Sequence, residues 1–244
     1  MQQIDIVIPL GKGSVWGNNH ELKYCLRGIE KHLSNVGNLY IVSNKLPSWL
    51  TNATLLCADD EKGVEWKDRN IYNKILLACD TDSLSEDFLF MNDDHFMQLD
   101  FQLPDFPYYY REHDMQETID KNIKNKAWRT SIENTRNYLI NNGYECKMFD
   151  THTPIIYNKF QFKKLSKLNW DTPYGYGIKS LYANINRIHG TLCKDGKLFP
   201  SETSDTSILK RVSDKPCFST SSYVPIQQQA FIEGLYTEKS KYER

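Results

Sequence analysis

The order of the short apolar runs in residues 1 to about 95 is the feature that most constrains the fold. Four of these runs are typical of strands, and the first two are typical of buried strands, because they are short and apolar. Residues 19–33 and 68–79 lie between them and carry apolar side chains at helical spacing. This alternation predicts an α/β fold with a mostly parallel central sheet flanked by helices. The predicted strands are residues 4–9, 39–42, 54–57 and 88–91.

The rest of the chain has a less regular and more helical pattern. No repeat, heptad or clear linker interrupts it. We therefore expect one domain over residues 1–244, with a nucleotide-binding half at 1–97 and an acceptor-side half at 98–244. The helices predicted in the second half are residues 116–141, 158–168, 179–188 and 226–235, and its predicted strands are residues 144–149 and 217–220.

Charge and cysteine content limit the partners and the compartment. A formal net charge of −1 gives no strong global field for nucleic acid or anionic lipid, so we expect no nucleic-acid partner. No apolar run approaches the ~18 residues of a membrane span, so no transmembrane segment is expected. The six cysteines form no C-x-x-C pair and are expected to be reduced and buried. These features favour a cytoplasmic protein, with peripheral membrane association left open.

The strongest candidate site is the acidic segment at residues 92–94, which follows the last predicted strand. Ligands of parallel sheets bind at the carboxyl ends of strands, where Asn92, Asp93 and Asp94 are expected to lie. Mg²⁺ and Mn²⁺ bind in this way, through one or two carboxylates together with phosphate oxygens and waters. The segment thus predicts Asp93 and Asp94 as metal ligands. A turn or a helix cap that closes the strand is the alternative interpretation.

Basic residues and a glycine loop supply further candidates for binding phosphate. Arg69 and Lys74 lie on the helix that leads to the acidic segment and can contact phosphates, although a solvated face is the usual place for such charges. Gly11 opens a loop at residues 11–14 that lacks the second half of a Walker motif. Residues 59–61 form a rival acidic cluster, which is more typical of a solvated turn.

A histidine in the second half is the candidate general base. His152 lies in a loop at residues 150–154, and Pro154 restricts the backbone there. A positioned imidazole can take the proton of an acceptor hydroxyl. Its alternative is a loop histidine with a purely structural role. His95, beside the acidic pair, is the other candidate base.

Several of these segments resemble motifs of a known family. Residues 19–31 read N-H-E-L-K-Y-C-L-R-G-I-E-K, residues 46–50 read L-P-S-W-L, and residues 88–96 read F-L-F-M-N-D-D-H-F. These segments resemble the helix, the turn and the Asn-Asp-Asp segment of the Stealth family of hexose-1-phosphate transferases. Residues 151–154 and 231–243 are similar to its His-Pro region and its terminal stretch. The resemblance touches most of the chain, and its specific part is residues 19–96.

The resemblance implies a glycosyltransferase-A-like core and a metal-dependent reaction. Such an enzyme moves hexose-1-phosphate from a UDP-sugar donor to a carbohydrate acceptor during synthesis of a capsule or another surface polysaccharide. By position, Asn92, Asp93 and Asp94 would serve Mg²⁺ or Mn²⁺ and the diphosphate, with Asp94 and His152 in catalytic roles. Two of the family's acidic elements are missing, near Gly11 and at residues 218–222.

These departures leave two alternatives open. One is a glycosyltransferase that moves the sugar alone and releases UDP. The other is a non-catalytic domain that binds a glycan or a protein, which the aromatic loop at residues 106–110 also suits. Core packing or contact between copies of the chain explains that loop equally well, so a homo-oligomer stays among the expected forms.

Overall fold

A computed structural model of the chain describes residues 2–11, 16–121 and 125–244. These residues form a mixed α/β fold with eight α-helices and eleven short strands. The helices are α1 (His20–His32), α2 (Lys67–Cys79), α3 (Met115–Lys121), α4 (Lys126–Asn141), α5 (Lys159–Lys163), α6 (Ile178–Ile185), α7 (Asp205–Val212) and α8 (Ile226–Leu235). The strands are β1 (Ile4–Pro9), β2 (Leu33–Ser34), β3 (Val36–Ser43), β4 (Thr54–Cys57), β5 (Asp87–Phe90), β6 (His95–Met97), β7 (Phe101–Gln102), β8 (Tyr109–Tyr110), β9 (Ile155–Asn158), β10 (Thr191–Leu192) and β11 (Cys217–Ser219).

The central sheet has five strands in the order β4-β3-β1-β5-β9. Strands β4, β3, β1 and β5 are mutually parallel, and β9 adds an antiparallel edge. The predicted mostly parallel sheet flanked by helices is therefore confirmed. In the ranges that the structure describes, no helix is long and apolar enough to cross a membrane.

Alternate side chains of β1 enter two separate cores. Ile6 and Ile8 pack in the cluster that contains Leu26 of α1. Val7, between them, packs in the cluster that contains Ile75 of α2. Successive strand residues point to opposite faces, so a run that is apolar on both faces needs a helix layer on each side. The unbroken apolar sequence of β1 thus reflects its central place between two layers.

The second half departs from the predicted elements in several places, and α7, β8 and β10 were not predicted. Instead of one helix over residues 116–141, α3 and α4 are separate, and Asn125 caps α4 by accepting a hydrogen bond from the Trp128 amide. Residues 144–149, predicted as a strand, form no strand, although Met148 O accepts from the Arg111 amide (2.8 Å). The edge strand β9 was missing from the predicted elements.

Two expectations about individual side chains are now settled. All six cysteines are free thiols; four are buried and Cys146 is half-buried, but Cys57 on the edge strand β4 is exposed, so its predicted burial is wrong. In the aromatic loop, Phe106 is buried and contacts the Phe101 ring with 5.0 Å between ring centroids. Part of that loop therefore packs in the core.

The pairing of β9 with β5 sets the position of the candidate site. The register joins Phe90, the last residue of β5, to Ile155, the first residue of β9. Because the two strands are antiparallel, the segment after β5 and the segment before β9 leave the sheet at the same edge. The acidic segment and the loop that carries His152 therefore emerge side by side.

The C-terminal residues are fastened to α1 by one arginine. Arg27 contacts both carboxylate oxygens of Glu243, with Nε–Oε1 at 2.7 Å and Nη2–Oε2 at 2.8 Å. Its Nη1 also donates to Tyr236 O (2.9 Å). The side chains of Arg27 and Glu243 are only 11% and 3% exposed. This bidentate, desolvated pair holds the end of the chain against the N-terminal half.

We expect Arg27→Met to destabilise the fold by about 3–5 kcal/mol, because it leaves the Glu243 carboxylate buried without its cation. Urea unfolding followed by fluorescence measures the loss. Adding Glu243→Gln to Arg27→Met should recover part of it. Arg129→Met, which breaks the partly exposed Arg129–Glu133 pair, is the control and should cost less than ~1 kcal/mol. Equal losses in the two single variants would contradict this role.

Candidate functional site

The acidic segment makes a tight turn between β5 and β6. The His95 amide donates to Asn92 O (3.3 Å), and the Asn92 amide donates to Nδ1 of His95 (3.3 Å). The predicted turn is therefore present. It directs the half-buried side chains of Asp93 and Asp94 away from the strand, at the carboxyl edge of the sheet.

Negative charge is concentrated around this turn. Burial first, then the charges of Asp94 and Glu21, raise the pKa of Asp93. Burial and then Glu21 raise the pKa of Asp94, against the opposing effect of Lys197 and Lys67. The charge of Glu21 therefore opposes the ionisation of both Asp93 and Asp94. A bound cation would favour the ionised forms of these two carboxyl groups.

Glu21 is a site residue that the sequence patterns did not single out. It lies in the first turn of α1, is 7% exposed, and accepts a hydrogen bond from Thr220 Oγ1 (2.8 Å). Thr220 follows β11 directly. The sequence signal that could have identified Glu21 is its position beside the apolar face of the predicted helix. A glutamate exposed to solvent is expected on the opposite face.

The donor set of the acidic segment fits a hard divalent cation. Within the described residues, no three His, Cys, Asp or Glu side chains are already arranged as a metal site. Mg²⁺ and Mn²⁺ do not need three, because carboxylates combine with substrate phosphate oxygens and waters. Burial is the largest cause of the raised pKa values of Asp93 and Asp94, neighbouring carboxylates add to it, and a bound cation would favour their ionised forms. Both residues therefore fit the ligand role predicted for them.

His152 forms a dyad with Asp195, a residue that the sequence did not predict. His152 Nδ1 lies 2.8 and 2.9 Å from the two carboxylate oxygens of Asp195, and the His152 amide donates to Oδ1 (3.1 Å). Arg111 Nη2 contacts the other oxygen at 2.9 Å. Because Nδ1 donates to a carboxylate, the lone pair of the neutral ring is on Nε2.

The charges around the dyad favour a neutral imidazole and an ionised carboxylate. Burial lowers the pKa of His152, and Lys197 and Arg111 lower it further against the opposing effect of Asp195. Burial by itself raises the pKa of Asp195, but the hydrogen bond and charge of His152, followed by Arg111, bring it well below its usual range. At neutral pH the ring is therefore ready to accept a proton at Nε2.

Two lysines connect the dyad to its surroundings. Lys179 of α6 is buried and donates to Thr151 O and to Thr153 O (3.1 Å), which fixes the backbone on both sides of His152. Lys197 Nζ lies 3.3 Å from His152 Nε2, and its charge lowers the pKa of Asp94. Lys197 therefore lies between the dyad and the acidic segment.

The geometry separates the two candidate bases. His95 is fully buried, and its Nδ1 accepts from the Asn92 amide, so its proton is on Nε2. That nitrogen has no hydrogen-bond partner among the residues that the structure describes. A ring with one nitrogen accepting and the other protonated cannot take a proton from a substrate without first losing the Asn92 contact. The Nε2 of His152 also has a neighbour, Lys197 Nζ at 3.3 Å, but the His152 side chain is 25% exposed, so a substrate hydroxyl can reach it more readily than the fully buried His95.

The predicted phosphate ligands lie at the ends of β1 and β4. Lys74 is buried, donates to Leu10 O (2.8 Å) and pairs with Asp60 Oδ1 (2.7 Å). A Cβ on Gly11 would lie 3.9 Å from Asp60 Oδ2. Residues 12–14 of the glycine loop are outside the described residues. Lys74 therefore holds Asp60 in an ion pair, while residues 59–61 are exposed, as expected of a solvated segment.

Arg69 is engaged in the same way. It pairs with Asp171, lies 3.6 Å from Glu61 (Nη2–Oε1) and stacks over Trp66 at 5.3 Å from Cζ to the ring centroid. A phosphate would have to replace one of these acids, so the contacts predicted for Arg69 and Lys74 remain predictions. Comparison with protein-family models and with curated proteins finds no match.

We expect Asp93→Asn to stabilise the metal-free protein. The folded state raises the pKa of Asp93, so it binds that proton more tightly than the unfolded chain, and the ionised carboxylate costs stability as pH rises. Thermal unfolding at pH 8 should show a higher Tm in the variant, and the gain should shrink as pH falls toward 4. Each 1 kcal/mol gained corresponds to about 2–4 °C.

Asp59→Asn, at an exposed position, is the control and should leave Tm nearly unchanged. Mn²⁺ should raise the Tm of the wild-type protein but not that of Asp93→Asn. A lower Tm for Asp93→Asn without metal would show that this carboxylate serves the fold rather than a ligand.

Proposed function

We propose that the chain is a metal-dependent transferase with a glycosyltransferase-A-like core, similar to the Stealth proteins. It moves hexose-1-phosphate from a UDP-sugar to a hydroxyl of a carbohydrate acceptor. The proposal rests on one observation: the His152–Asp195 dyad and the acidic segment lie at the same edge of the sheet. A His–Asp dyad suited to deprotonate a hydroxyl lies there beside an acidic turn suited to bind a cation, with Lys197 between them.

The dyad supplies the base for an acceptor hydroxyl. His152 Nε2 takes the hydroxyl proton, and Asp195 holds Nδ1–H and stabilises the imidazolium that forms. Lys179 keeps the loop carbonyls of residues 151 and 153 in place, so the ring does not need to reorient. Before the reaction the Nε2 lone pair faces Lys197, and a hydroxyl must enter beside that ammonium.

Transfer requires that the new negative charge is neutralised. The acceptor oxygen attacks the phosphorus that bears the sugar, a P–O bond to this oxygen forms, and the anhydride P–O bond to UMP breaks. Asp93 and Asp94 would hold Mg²⁺ or Mn²⁺, which supplies positive charge to the diphosphate when bound. Lys67 acts electrostatically on both carboxylates and Lys197 on Asp94, so both lysines add positive charge to the region where the phosphates would bind.

The surface beside Lys197 suits a sugar acceptor. Leu198 pairs with β11 through its amide and Ser219 O (2.8 Å), so Phe199 lies at the rim, two residues and at most ~7 Å of chain beyond Lys197. Phe199 and Tyr223 are 47% and 63% exposed. Exposed rings beside polar groups favour the stacking of sugar rings, which present apolar C–H faces.

The released nucleotide tests the reaction. We expect the purified chain, with a UDP-hexose, Mn²⁺ and an oligosaccharide acceptor, to release UMP and to attach a phosphate to the acceptor. Release of UDP would instead show transfer of the sugar alone. Asp94→Asn should reduce the rate by at least about 10²-fold, whereas the exposed control Asp59→Asn should retain it. A chain that binds no UDP-sugar in the presence of Mn²⁺ is the non-catalytic domain instead.

The pH dependence tests the base. The pKa of His152 is below its ordinary value near 6.5, and the base form exists above that pKa. The rate should therefore be level at neutral pH and fall only below pH ~6.5. Asp195→Asn should reduce kcat by about 10²–10⁴-fold because the ring loses its acceptor. His113→Gln, at an exposed position, is the control, and an acid limb that persists in His152→Gln would exclude His152 as the base.

A further inference from the structure

A second pocket lies at the C-terminal end of α6, and none of its lining residues belongs to the candidate site. It has a volume of about 350 Å³ and is lined by residues 143–147 and 183–189 in part. The volume is at the lower end of the ~300–1,000 Å³ range for small-molecule sites, which is more room than a bare phosphate needs. Three of its side chains are basic: Lys147, Arg187 and His189.

Arg187 holds a backbone conformation that its side chain disfavours. Its φ is 53°, in the left-handed region. The Arg187 amide donates to Asn184 O (3.1 Å) and the Ile188 amide to Ala183 O (2.9 Å), which ends α6 with a left-handed residue. Glycine is the usual residue at that point of a helix end, because a Cβ is disfavoured there.

Most of the other residues with a left-handed backbone are of a type that tolerates it. Among the described non-glycine residues with positive φ, four are asparagine, which tolerates the conformation; Tyr174 and Arg187 are the exceptions. Backbone strain of this kind is a pointer to function when the side chain has something to do. The fold itself gives Arg187 no task, since its guanidinium has no hydrogen bond or ion pair within the described part of the chain.

The backbone of Lys147, the second basic residue of the pocket, is fixed by the side chain of Asn184. Asn184 is buried, its Oδ1 accepts from the Lys147 amide (3.0 Å) and its Nδ2 donates to Lys147 O (2.8 Å). Lys147 Nζ pairs with Glu145 at 2.8 Å, but that carboxylate is 72% exposed, and it is the only acid among the described residues that line the pocket. The described lining therefore has more basic than acidic side chains.

We propose that this pocket binds an anionic sugar. The phosphate or carboxylate of the sugar is held between Arg187 and Lys147, and its ring lies against Tyr144. A guanidinium recognises either anion through two parallel hydrogen bonds, and an aromatic ring suits the C–H face of a sugar. The inference goes beyond the proposed transferase activity and does not depend on it.

Calorimetry of the full chain without divalent metal tests the pocket, with glucose 6-phosphate, glucuronate, inorganic phosphate and glucose as probes. At least one of the two anionic sugars should bind more tightly than inorganic phosphate, and glucose should not bind. The stronger of the two identifies the anion as phosphate or carboxylate. Absence of binding by both overturns the proposal.

Arg187→Gly separates binding from folding. This variant should bind the anionic sugar with an affinity that is lower by about tenfold or more, because a hydrogen bond between two charged groups is lost. It should also leave Tm unchanged or raise it, since glycine suits the left-handed φ. Lys164→Gln removes an exposed charge elsewhere and should alter neither quantity.

Asp94→Asn should bind the anionic sugar as the wild-type chain does, whatever its effect on UDP-sugar turnover. Loss of binding in Asp94→Asn would place the sugar at the acidic segment and overturn the second pocket. Unchanged affinity in Arg187→Gly, or a clearly lower Tm, would overturn it as well, because Arg187 would then serve no ligand or would serve the fold.

Discussion

The antiparallel pairing of β9 with β5 is the contact on which the candidate site depends. If β9 ran parallel to β5, its last residue, Asn158, would lie at the carboxyl edge, and the His152 loop would lie at the opposite edge. By running against β5, β9 places its beginning at the carboxyl edge, with the His152 loop immediately before it. The pairing of Phe90 with Ile155 therefore converts two segments about sixty residues apart into neighbours. Chemistry that needs a cation site and a base at once becomes available through this register.

Burial, together with the neighbouring charges, determines how readily each carboxyl group at this edge ionises. Asp93 and Asp94, with Glu21 beside them, are held with too little positive charge, so burial works against their ionised forms. Asp195 is also buried, yet it keeps its charge because His152 and Arg111 both contact it. Desolvation acts on all of these carboxyl groups. It favours cation binding at Asp93 and Asp94, whereas contacts with His152 and Arg111 keep Asp195 ionised.

How much of this was predictable depends on whether a residue belongs to a periodic element. The predicted bounds of β1, β4 and α8 match the structure, because apolar runs bounded by turn residues report local structure directly. The edge strand β9 was missed, because it is only four residues long and runs straight into α5. Asp195 was missed for another reason. It lies in a loop 43 residues from His152, and only the tertiary fold brings the two together.

We connect two of the places where the chain departs from local rules with ligands. Like charges lie close together around the acidic segment, and Arg187 occupies a left-handed position that favours glycine. Hydrogen bonds fix both places: Thr220 donates to Glu21 in the first, and the Arg187 amide donates to Asn184 O in the second. A strained group persists only where its surroundings over-determine it. A bound cation would relieve the repulsion around the acidic segment, and a bound anion would pair with Arg187. Ligand binding therefore accounts for both features.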